Sequence, residues 1–123
     1  MQECRTIKKY RNRRLYDTER SKYIRLEEVR ELVMANEAFR VIDSTSDVDV
    51  TCHVLMQLIL EEELGDKPMF SLEMMSQMIR FYGGTLQGQL ALFLEESFRH
   101  VEREREATQA HLGRVFSIMT DWS

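Results

Sequence analysis

The sequence predicts an α+β protein in two parts: a small N-terminal module of short strands, β-hairpins and two helices, then an all-helical oligomerisation module. Three observations carry this. Short β-tolerant segments alternate with polar turns before residue 50, four stretches after Leu26 repeat apolar residues at helical spacing, and the chain's only proline lies in a boundary at Asp66-Lys67-Pro68. The modules are therefore placed at residues 1–66 and 67–123.

The elements follow in order. Residues 7–10 and 15–17 read as strands with a turn near Asn12, and residues 23–26 as a third after a polar segment. Leu26, Val29, Leu32 and Val33 then recur at helical spacing, with Glu27 and Glu28 in the first turn, where the helix dipole favours acids. This helix is expected to close near Asn36. Residues 39–43 and 48–50, flanking Ser44-Thr45-Ser46-Asp47, read as a hairpin, and Thr51 as the N-cap of a helix ending near Gly65. Ser71 caps the next helix, which Gly83-Gly84 breaks. A longer helix opens near Thr85. It carries Leu86, Leu90, Phe93, Leu94, Phe98 and Val101, then a polar stretch, then Leu112, Val115, Phe116, Met119 and Trp122. A helix of about 30 residues is about 45 Å long, more than so small a chain can cover, so its apolar patches predict a helical oligomer, a dimer or tetramer.

Composition limits the function. No apolar run approaches the ~20 residues of a membrane helix, and the polar, basic start lacks the apolar core of a secretory signal. Two cysteines are too few for a disulfide framework, so a reducing cytoplasm is expected. The net charge of −4 conceals a division. Residues 5–25 hold nine Lys/Arg against Asp17 and Glu19, a local +7, while residues 41–123 hold six against fourteen acids, a local −8. Affinity for polyanions follows the local field, so the head attracts nucleic acid and the body repels it.

The chemistry concentrates in the head. Lys8, Lys9, Tyr10, Arg11, Asn12, Arg13, Arg14, Tyr16, Lys22 and Tyr23 interleave cations and tyrosines and form the candidate surface for double-stranded DNA. Lysines and arginines neutralise phosphates, arginine can bind guanine bidentately and asparagine adenine, and tyrosine hydroxyls bond phosphate. Lys8, Lys9 and Lys22 are assigned to phosphates; Arg11, Asn12, Arg13 and Arg14 are candidates for base edges or the minor groove. If residues 13–17 are extended, Leu15 points to the core with Arg13 and Asp17, and Arg14 and Tyr16 point outward. Asp17 is assigned to a neighbouring arginine or an Asx-type turn.

No catalytic set stands out, and neither an enzyme nor a cofactor is expected. Cys52-His53 are adjacent rather than at metal-ligand spacing and Cys4 is remote, so no metal site is assigned. Gly83-Gly84-Thr85-Leu86-Gln87-Gly88 lacks the lysine and strand of a phosphate-binding loop. The apolar set Met69, Phe70, Met74, Met75, Met78, Phe81, Tyr82, Leu90 and Phe93 fits an oligomer face first and a hydrophobic-ligand surface second.

Thr6-Ile7-Lys8-Lys9-Tyr10, residues 12–18 (NRRLYDT) and Ser21-Lys22-Tyr23-Ile24 closely resemble the start of the polyhydroxyalkanoate synthesis repressors, also called polyhydroxybutyrate accumulation regulators. The resemblance continues through residues 26–33, 41–43, 58–63, 68–71, 77–83 and 87–88, covering roughly residues 6–100. It implies a DNA-binding N-terminal module and a helical accumulation-regulator module. It also implies a bacterial repressor of granule-coating phasin genes that leaves the promoter when polymer or granule surfaces capture it. Arg11 stands where the family usually has proline, which loosens the expected turn. The alternative is a granule-associated structural protein that binds DNA only nonspecifically.

Overall fold

The computed structural model describes residues 4–120, in two units, one running through Phe70 and the other starting at Ser71. The side chains of Phe116 and Met119, and Trp122 altogether, lie outside what is described, so those parts of the C-terminal apolar repeat are not placed.

The first unit is a four-stranded sheet covered on one side by two helices. Its elements are β1 (Arg5–Lys9), β2 (Leu15–Asp17), β3 (Lys22–Ile24), α1 (Leu26–Met34), β4 (Phe39–Asp43) and α2 (Thr51–Glu63), with strand order β3-β2-β1-β4. β1, β2 and β3 form an antiparallel meander, whereas β4 pairs parallel to β1. A parallel neighbour needs a crossover, and α1 supplies it by carrying the chain from the β3 edge to the opposite edge. Ile7, Leu15, Ile24 and Val41 from the strands, Val29 and Leu32 from α1, and Val54 from α2 make the core. Leu15 is buried with Asp17 while Tyr16 between them is less so, which is the alternation expected of this strand. The strand does not extend back to Arg13, which is an exposed left-handed loop residue at φ 65°.

The third strand covers residues 22–24 rather than 23–26, because Leu26 already begins α1. α1 ends as expected at Asn36, whose φ of 54° is left-handed; Asn36 N–H donates to Val33 and Glu37 N–H to Leu32, the paired bonds of a Schellman motif. The expected hairpin of residues 39–50 is reduced to one bridge between Ile42 and Asp49. Its turn is held by the Asp43 side chain, which accepts from Thr45 N, Ser46 N and Ser46 Oγ. Beyond the bridge the Thr51 hydroxyl, not a strand backbone, accepts from Val41 N at 2.9 Å. Thr51 is thus the first helical residue and not the N-cap; the Asp49 carboxylate accepts its N–H at 2.9 Å.

Asp17 is 1% exposed and holds the β2–β3 turn. Its Oδ1 accepts from Glu19 N (3.0 Å) and Arg20 N (3.3 Å), and its Oδ2 lies 3.5 Å from Arg5 Nη1. Arg5 also pairs with Glu19 and Glu37, so this cation of the basic head ties the unit together. Asp17→Ala strands two turn N–H groups and one buried guanidinium contact, and should cost about 2–3 kcal/mol in a urea denaturation series. Two glutamates ending α2 are also partnered. Glu62 pairs with Arg30 of α1, and Glu63 accepts from Met69 N (2.8 Å) and Phe70 N (3.0 Å), which fastens residues 69–70 to the first unit.

The second unit is α3 (Leu72–Phe81) and α4 (Gln87–Thr120). Ser71 Oγ accepts from Met74 N at 3.0 Å, the expected cap, and Gly83, at φ 77°, makes the break. α4 has 34 residues, hence a length of about 51 Å. No residue of α3 is buried, and every core residue of the chain belongs to the first unit, among the described residues. No helix among the described residues is long and apolar enough to cross a membrane.

Candidate nucleic-acid interface

Strand register divides the basic head between the two faces of the sheet. Lys8 pairs with Tyr16 and with Ile42, and Tyr16 pairs with Tyr23, so Ile42, Lys8, Tyr16 and Tyr23 form one row across all four strands. One step along, Tyr10 N donates to Arg14 O at 2.9 Å; one step back, Thr6 pairs with Arg40. These rows make up the face opposite α1 and α2. Its strand and flanking positions carry Lys8, Arg14, Arg40 and three tyrosines; the one carboxylate that the rows reach among the described residues is Asp49, bridged to Ile42 at the β4 edge beside Arg40.

The tyrosines form a cluster. Tyr23 meets Tyr16 edge-on at 5.3 Å and Tyr10 at 6.2 Å, and the Arg14 guanidinium carbon lies 4.3 Å from the Tyr23 ring centre. A guanidinium over an aromatic ring is held by the ring's negative face without losing its hydrogen-bond donors. Arg14 is thereby presented in a fixed place and remains exposed.

The β1–β2 connection projects Arg11, Asn12 and Arg13. Arg13 N donates to Tyr10 O at 2.9 Å, Arg13 has φ 65°, and Arg14 N donates to Asn12 Oδ1 at 3.1 Å. That is the pattern of a three-residue hairpin loop: a turn, then one left-handed residue. Asn12 therefore acts first on its own backbone. Arg11 occupies the second turn position, where proline is favoured, and its N–H donates no hydrogen bond among the described residues. Arg11→Pro should raise stability by about 0.5–1 kcal/mol through a less free unfolded chain, seen as a higher urea midpoint at unchanged slope.

A second turn stands beside the loop. Ser44 N donates to Lys9 O at 2.9 Å, tying residues 44–47 to the end of β1. Hydrogen bonds from Ser46 hold the Asp43 carboxyl below its ordinary pKa, and the charge of Arg11 adds to this. Bonds from Thr51 do the same for Asp49, with Arg40 contributing.

Of the ten residues assigned from sequence, the structure gathers Lys8, Tyr10, Arg14, Tyr16 and Tyr23 on the open face, with Arg11, Asn12 and Arg13 at its tip. Lys9 falls in the row of Leu15 and Lys22 in the row of Asp17, so both belong to the opposite, helix-covered side of the sheet. Arg40 was not assigned. Its signal was the alternation of Phe39 and Val41, which makes Arg40 the outward residue, but only the parallel pairing puts it beside Thr6, whose hydroxyl accepts from Arg40 Nε at 3.2 Å. No cluster of His, Cys, Asp and Glu able to hold a metal occurs among the described residues.

In the second unit, Met78, Phe81, Tyr82 and Leu90 line one groove of about 120 Å³ between α3 and the start of α4. Met74, Met75 and Phe93 are exposed. Met69 and Phe70 belong to the first unit.

A sheet face bearing cations and tyrosines, with an arginine-rich hairpin at its edge, has the chemistry of a polyanion-binding surface. Comparison with known proteins gives the family. Residues 6–66 match the PHB/PHA accumulation regulator DNA-binding domain, and residues 70–109 match the PHB accumulation regulatory domain. The chain belongs to the PHB accumulation regulator family. It is 51% identical over 121 residues to an uncharacterised protein of Allochromatium vinosum, covering 98% of this chain and 79% of that protein. It is 49% identical, over 98% of this chain and 88% of the relative, to an "Uncharacterized protein in phbA 5'region" of Thiocystis violacea. No solved structure matches the chain.

Proposed function

We propose that this protein is a sequence-specific transcriptional repressor of polyhydroxyalkanoate granule genes, such as phasin genes, acting on double-stranded DNA in the bacterial cytoplasm. The observation that carries the reading is the open face itself: Lys8, Arg14 and Arg40 around three tyrosines, on a sheet whose other side is core. A two-stranded ribbon fits the major groove, ~12 Å wide, and the β1–β2 hairpin would enter it with Arg11 and Arg13 at the tip. Lys8 and Arg40 then meet flanking phosphates. The tyrosines favour duplex over single-stranded DNA, because their rings pack on one another and under Arg14 instead of lying free for bases.

Self-association through the second unit belongs to the same reading. A helix pair with no buried residue among the described ones has no core of its own, and its apolar side chains, Phe93 at 65% and Phe98 at 64% exposure, call for a second copy. Paired units would set two hairpins on repeated half-sites. The same apolar surface would meet the polymer, so granule capture would compete with assembly or reorganise it. The protein needs no catalytic step for this role, and none is assigned.

The test is a gel shift of the full chain on its own promoter and on a scrambled duplex at physiological salt, with and without soluble 3-hydroxybutyrate oligomers. Repression predicts preference for the promoter and release by oligomer. Equal affinity for both duplexes would instead support a granule-bound structural protein.

A further inference from the structure

A cleft of about 470 Å³ opens on the helix-covered side of the sheet, where the ends of β1 and β3 meet the start of α1. Its volume lies within the ~300–1,000 Å³ of small-molecule sites, far more than one DNA phosphate fills. The floor is core, with Leu15 at 6% and Val54 at 1% exposure. Around it stand Lys9, Arg13, Arg14 and Arg25, and no carboxylate lines it. None of these four cations makes an ion pair among the described residues, although Arg5, Arg20 and Arg30 of the same unit all do. Four unpaired cations around an apolar floor suit a multiply charged anion attached to a flat, weakly polar group. Single carboxylates would leave most of that charge unanswered.

We propose that this cleft binds a nucleotide, its phosphate among the four cations and its base against the apolar floor. The site adjoins the open face, whose Tyr23 also lines it, but Lys9, Arg25 and the apolar floor lie outside that face. Arg13 and Arg14 border both surfaces, so a free nucleotide and duplex DNA compete for them. The nucleotide is a free one, because the bases of a duplex stay paired and stacked and cannot lie on the floor.

The full chain is titrated calorimetrically with AMP, and with adenosine and inorganic phosphate alone; Arg25→Glu and Gln57→Trp are then titrated likewise. Gln57 lines the cleft from the exposed side of α2, so its substitution fills the space while the hairpin and core residues themselves stay unchanged. A free-nucleotide site binds AMP at least tenfold more tightly than either fragment, loses tenfold or more in both variants, and releases DNA as AMP is added. If AMP is silent and both variants weaken duplex binding tenfold or more, the cleft is an extension of the DNA surface and the nucleotide site is overturned. AMP binding unaffected by either variant, or variants that alter neither AMP nor duplex binding, overturns the site. Failure of the DNA reading shows separately, through Lys8→Ala, which lies outside the cleft.

Discussion

Replacing Lys8 and Arg14 together by alanine should weaken promoter binding by about 30- to 1,000-fold, from about 1–2 kcal/mol for each contact. Both side chains are exposed, and neither forms an ion pair among the described residues, so the folded unit should survive with a urea midpoint close to that of the parent. The two losses differ in kind. Lys8 sits mid-row beside Tyr16, and as a phosphate contact its removal should flatten the salt dependence by about one unit in log–log slope while leaving sequence preference intact. Arg14, fixed over Tyr23, is better placed to carry sequence information. Its removal should narrow the gap between promoter and scrambled duplex. Tyr23→Leu should reproduce part of the Arg14 effect, because it takes away the ring that holds the guanidinium.

Introducing aspartate at Phe93 and Phe98 should break the assembly. Both rings lie largely exposed on α4 in the single chain, so charge there costs the isolated protomer little and costs an apolar interface a great deal. Sedimentation equilibrium should give the 14.7 kDa of one chain where the parent gives a multiple of it. Promoter affinity should fall about 100-fold at the same time, because the second DNA contact ceases to be intramolecular. Affinity for a single half-site should not change. A variant that keeps its oligomeric mass would remove these residues from the interface.

Much of this molecule could be read before its structure, for physical reasons that particular residues illustrate. Leu15 and Asp17 alternate with Arg14 and Tyr16, so a period of two placed one pair inward and the other outward. Asn36, Ser71 and Gly83 ended or began helices where their backbone or side-chain chemistry requires it. Non-local pairing was not legible. Nothing within residues 39–43 states that they lie parallel to β1, and the turn chemistry of Asp43 to Asp47 suggested a return strand where there is a single bridge. That pairing brings Arg40 onto the open face. A run of charge also does not reveal its faces: Lys8 and Lys9 are neighbours in sequence and opposites in the sheet. Arg5 reads as one more cation for DNA, yet its guanidinium meets Asp17, Glu19 and Glu37.

The most direct measurement is a backbone-amide NMR titration of the full chain with its promoter duplex. Contact through the uncovered side of the sheet should shift residues 8, 10–14, 16, 23 and 40 together, and leave the outward positions of α1 and α2 where they were. Shifts confined to those helices, with Lys8, Tyr16 and Arg40 unmoved, would contradict it.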